Sequence, residues 1–119
     1  MEIFQLIRGE VILGVVTLSP DDRIAGGAPW DVGWLQTAPG FEVVRHLFER
    51  EQRAFDDAMR LETEPGADGQ TSESARLLEQ ATELQREIMT PGVRLVCLSD
   101  GRKLPVEELH VDGAKIVWR

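Results

Sequence analysis

The sequence predicts an α+β domain: an antiparallel, possibly curled sheet of five to six strands, with a central αα-hairpin packed on one face. Three observations predict it. Short β-rich runs separated by turn residues lie at both ends of the chain. The stretch from Phe41 to Ile88 changes to a helical period near 3.6. Glycine and proline punctuate the junctions between these segments. The order is therefore β-β-(β)-α-α-β-β-β, and strands outside with helices between give α+β rather than alternating α/β. With 119 residues, residues 1–119 make one domain and fall short of two.

The first element is EIFQLI, residues 2–7, followed by the nearly continuous apolar run from Val11 to Leu18. Arg8-Gly9 lies between them and suits a tight hairpin. Unbroken apolarity in the second strand predicts that both its faces are covered. Gly14, in mid-strand, marks a bulge or the close approach of another backbone. SPDDR, residues 19–23, reads as a turn in which Ser19, Asp21 and Asp22 bond to nearby amides. WDVGWLQT forms a third strand, weakened by Gly33, with Trp30, Val32 and Trp34 on one face. Pro39 stops it.

From Phe41 onward, Val44, Leu47, Phe48, Phe55, Ala58 and Met59 fall on one helical stripe, with Glu51 at its edge. Residues 62–71 are a loop by composition. A second helix begins near Ser72 or Ser74, carries Leu77, Leu78, Ala81, Leu84 and Ile88 on its apolar side, and ends at Pro91-Gly92. The expected core contacts of the pair are Val44, Leu47, Phe48, Phe55, Leu77, Leu78, Ala81 and Leu84. Three strands follow: VRLVCL, KLPVEELHV and AKIVWR. Asp100-Gly101 and Asp112-Gly113 supply the turns between them. Pro105 places the start of KLPVEELHV at an edge or bulge. Alternation would put Val106, Glu108 and His110 on one face of that strand.

Composition excludes more than it assigns. The net charge of −8 opposes nonspecific binding to nucleic acid or an anionic membrane and permits a basic protein partner. One cysteine, Cys97, cannot form an internal disulfide and reads as a buried thiol in an apolar strand. Together with an N-terminus unlike a signal peptide, this points to a cytoplasmic protein. The excess of arginine over lysine and the lack of asparagine and tyrosine fit a GC-rich bacterial genome. No stretch approaches a membrane span.

No nucleotide-binding loop, nucleophile elbow or zinc pattern is present, and no cofactor is implied. His46 reads as a surface histidine, with a general base as the sharper alternative. Glu108 and His110 form either a solvated strand face or a pair able to move a proton or hold a metal. Asp21, Asp22 and Asp31 would need to converge to bind a cation. The acidic end of the first helix could receive a basic partner. GGAPWDVGWLQTAPG, residues 26–40, holds two of the three tryptophans. Trp30 and Trp34 either plug the open end of the sheet or, with Asp31, line a ligand pocket. The leading expectation is a noncatalytic protein-interaction or accessory domain, forming a homodimer through the Val11–Leu18 strand. A small-molecule-binding domain or small enzyme using the Trp30/Trp34 pocket is second. An acidic, immunity-type inhibitor of a basic toxin is third.

Overall fold

The computed structural model describes residues 2–18, 30–63 and 72–119. The expected turn at 19–23, with Asp21 and Asp22, glycines Gly26 and Gly27, and most of the 62–71 loop lie outside the described residues. Seven strands and two helices appear in the order β1 (Ile3–Arg8), β2 (Val11–Leu18), β3 (Asp31–Thr37), α1 (Phe41–Thr63), α2 (Ser72–Met89), β4 (Val93–Cys97), β5 (Lys103–Val106), β6 (Leu109–Asp112) and β7 (Lys115–Trp118). The strands form one curled antiparallel sheet in the order β5-β4-β1-β2-β3-β7-β6. The α+β class and the helix pair on the sheet match the sequence reading. No described helix is long and apolar enough to cross a membrane.

The strand count is a correction. KLPVEELHV is not one strand but two, because the chain changes partner at Glu107-Glu108. Val106 still pairs with Val93 of β4, whereas Glu107 and Glu108 both donate to the Arg119 carbonyl beyond β7, and the Arg119 amide donates back to Glu108. The inward-facing set shifts with it. Val106 is buried, and so are Leu109 and Val111, three and five residues later. Val106 therefore does not share a face with Glu108 and His110, contrary to simple alternation. The two ends of the sheet, β5 and β6, are consecutive in the chain, so the sheet must curl for two residues to join them.

The first hairpin supplies the curvature. Leu6 pairs with Gly14 but Ile7 pairs with Ile12, leaving Leu13 as an extra residue, a bulge that increases local twist. Gly14 answers to both of its expected roles. A Cβ there would lie 2.3 Å from the Gln36 carbonyl oxygen on β3 and 2.9 Å from Leu35 Cδ1. Gly14→Ala should therefore cost ~1–3 kcal/mol, because a backbone strand must move aside. Urea denaturation checks this, and a variant as stable as the parent would show that β2 and β3 yield freely.

The helices fill the inner face. Phe41, Val44, Leu47 and Phe48 of α1, with Leu84 and Ile88 of α2, join a buried cluster with Phe4, Leu6, Val16, Leu35, Leu95, Leu109, Ile116 and Trp118. Cys97 is buried and free in the same cluster, as expected. Three of the predicted contacts differ in kind. Phe55 is 44% exposed, and Leu77 and Leu78 are only partly buried. Glu51, read as an edge residue, is 3% exposed and sits within the stripe. The end of α2 is tied to the first hairpin. Arg8 donates from Nε to the Ile88 carbonyl at 2.8 Å and from its guanidinium to the Glu87 carbonyl at 3.0 Å, satisfying C-terminal carbonyls. Gly92, at φ 84°, donates to Met89 O and accepts from the Gly9 amide. At the far edge, the Gln85 side chain bonds Leu109 twice, Nε2 to its carbonyl at 2.8 Å and Oε1 from its amide at 2.9 Å.

Candidate functional site

Register builds the site. Asp31 pairs with Trp118 and Trp118 with Leu109, so the preceding row holds Trp30, Arg119 and Glu108 side by side. The following row holds Val32, Val117 and His110. With a period of two, both rows point to the outer face of the sheet. α1 reaches this face past the short β6 and brings Glu51, Gln52 and Phe55 against it.

His110 is the centre of the cluster. Its Nδ1 lies 2.7 Å from Glu51 Oε1 and 3.0 Å from Oε2, and its Nε2 lies 2.6 Å from Glu108 Oε2. An ionised carboxylate only accepts hydrogen bonds. A carboxylate oxygen at each nitrogen favours the doubly protonated ring. Burial pushes the His110 pKa down, but hydrogen bonds and charge from Glu51 and Glu108 outweigh it and hold the group above its ordinary value. Arg119 clamps the other oxygen of Glu108 at 3.2 Å and stands over the Trp30 ring, 5.4 Å from its centroid. The Trp30 and His110 rings lie 5.8 Å apart, tilted by 38°. Gln85 adds a long contact of 3.4 Å to Glu51 Oε2. Glu51, His110, Glu108 and Arg119 thus form one continuous chain in which acidic and basic side chains alternate.

No family model, curated protein or solved structure matches this chain. What the site can do therefore follows from its geometry. Both histidine nitrogens are occupied, so His110 holds no lone pair ready to accept a substrate proton. The nitrogens point in opposite directions, each to its own carboxylate, so Glu51, His110 and Glu108 do not converge on one point. Among the described residues, no group of three histidine, cysteine or acidic side chains could hold a metal ion. The Glu108–His110 pair is formed, and each end of it is bonded further, to Arg119 and to Glu51.

A hollow of about 410 Å³ opens beside the clamp, lined by Trp30, Gln52, Phe55, Glu108, His110 and Val117. A smaller hollow of about 240 Å³ continues past Phe55 and His110 toward Leu78, Ala81 and Gln85. Of the expected pocket residues, Trp30 lines the larger hollow. Asp31 is half-buried opposite Trp118 and is not part of its lining. Trp34 shares the outer face but lies about 13 Å farther along the strand, between Thr17 and Lys115, and is 50% exposed. His46 is exposed on α1. Arg119, Gln52 and Phe55 were not singled out from the sequence as site residues. Glu51 carried a signal: a carboxylate three and four residues from Phe48, Leu47, Ala54 and Phe55 stands where an apolar side chain belongs.

Proposed function

We propose that the chain is a noncatalytic interaction domain that self-associates through the outer face of β1, β2 and β3. One observation carries this. Leu98, Ile3, Thr17 and Trp34 form a single row across four neighbouring segments, and three of them are large apolar side chains 40–55% exposed. Ile12, 43% exposed, extends the patch along β2, whereas Val11 pairs with Arg8 and turns toward the helix side. The exposed apolar area is roughly 400 Å², the size of the largest patch on an ordinary monomer, which is often functional. The described side chains on this face, from Gln5, Ile7 and Val15 to Gln36 and Val96, include no carboxylate, although the chain has 21 acidic residues.

The row is self-complementary. Trp34 lies one strand to one side of Thr17, and Ile3 and Leu98 lie one and two strands to the other. A two-fold axis along β2, between two such faces, sets the indole of each copy against the aliphatic pair of the other. A basic partner finds no anchor here. The carboxylates Glu49, Asp56, Asp57 and Asp112 gather instead around α1 and the 112–113 turn.

Light scattering of the parent chain at tens of micromolar should give the mass of a dimer. Trp34→Glu should give a monomer with the same helical circular dichroism, because Trp34 contributes little to the fold's own core. A monomeric parent would overturn the assignment. So would a Trp34→Glu variant that remains dimeric.

A further inference from the structure

The hollow beside His110 lies apart from the β1–β3 face and has a chemistry of its own. Three of its walls are apolar: the Trp30 indole, the Phe55 ring and Val117. Phe55 is 44% exposed although it lies on the core stripe of α1. Its volume of about 410 Å³ falls within the range of small-molecule sites. The imidazolium of His110 is fixed at both nitrogens, so only its ring face and carbon edges are left to meet a ligand. A charge presented in this way attracts the face of an electron-rich ring. Arg119, held over Trp30 and paired to Glu108, makes the same corner unfavourable to a cation. The four charges balance, so the site gives little to a free anion, and its apolar walls disfavour one.

We propose that this hollow binds a small, uncharged, electron-rich aromatic molecule of the indole or phenol class, stacked among Trp30, Phe55 and the ring of His110. The bound group is a free molecule; an aromatic side chain of a partner protein offers the same chemistry and is separated by the test. Binding requires no proton transfer and no change in the clamp, because the ligand meets rings and not lone pairs.

The test is a titration of the full chain with indole, followed by nuclear magnetic resonance of the tryptophan Nε1–H and histidine ring protons. Cyclohexanol serves as a saturated control of similar size, and N-acetyl-tryptophanamide stands for a protein side chain. Indole should shift the Trp30 and His110 signals saturably, and cyclohexanol should bind at least tenfold more weakly. Trp30→Leu should weaken indole at least tenfold while leaving the helical circular dichroism of the free protein unchanged. N-acetyl-tryptophanamide should bind no better than indole. Tighter binding of the capped amino acid would overturn the free-molecule assignment in favour of a partner's side chain. No saturable shift at millimolar indole, equal binding of cyclohexanol, or shifts confined to Trp34 would overturn the site itself. None of these outcomes depends on the mass measured by light scattering, so the two assignments fail separately.

Discussion

Phe48→Ala should lower the free energy of unfolding by ~3–5 kcal/mol, the largest effect expected of a single truncation in α1. Phe48 is 2% exposed and stacks on Phe41 with ring centroids 5.4 Å apart. It belongs to the one cluster that joins both helices to the sheet. Removing the ring loses its transfer energy and leaves a cavity that the close-packed core between sheet and helices fills only in part. The melting temperature should fall by about 10–20 °C. Phe48→Leu, which keeps most of the volume, should cost less than half as much. A melt of Phe48→Ala unchanged from the parent would mean that α1 does not seat through this stripe.

The second large effect is at the clamp. His110→Leu leaves Glu51, 3% exposed, without its counter-charge. Breaking such a pair costs ~3–5 kcal/mol, and the lower end applies here because a third of the His110 side chain meets water. Removing both partners, Glu51→Leu with His110→Leu, should restore most of the loss, since no uncompensated charge is then buried. The dependence on pH has a definite sign. The folded-state pKa of His110 is raised above its ordinary 6.5, so its stabilisation is complete below pH 6.5 and is lost as pH rises through the raised value. Glu51 from α1, Glu108 from the turn before β6, and Arg119 behind Glu108 are the charges that face it. Denaturation of parent and double variant between pH 5 and 9 should show the gap in the parent's favour shrinking as pH rises. A gap that widens with pH, or single and double variants with additive losses, would contradict the clamp.

The class of fold was legible because each element carried its own period and its own stop. Val11–Leu18, the span of α1 and the two Asp-Gly turns are local signals, and the structure places these elements where their residues suggest. The division of KLPVEELHV was not legible, because nothing local tells a strand to leave β4 for β7. That change depends on how far the sheet has curled, a property of the Leu13 bulge and the tight β2–β3 approach at Gly14. The same non-local cause hid the site. Trp30, Glu108 and Arg119 become neighbours only through the register of three strands drawn from opposite ends of the sequence. Trp30 and Trp34 were correctly placed on one face, but the length of strand between them assigns them to different surroundings. Phe55 satisfies the helical period and still faces the hollow, because Glu51 and His110 occupy the place beside it.

The partner change at Glu107-Glu108 also limits how this protein can assemble. It leaves the sheet with two terminal strands of only four residues each, β5 and β6. Pro105 removes an amide from β5 that an incoming strand would need. On β6, the amide group of Gln85 already occupies the backbone donor and acceptor of Leu109, as a short piece of foreign strand would. Neither border can template a continuous intermolecular ladder, so growth into fibres is blocked by the same residues that close the curl. The proposed pairing of two copies uses the broad side of the sheet instead, a contact that saturates and does not propagate.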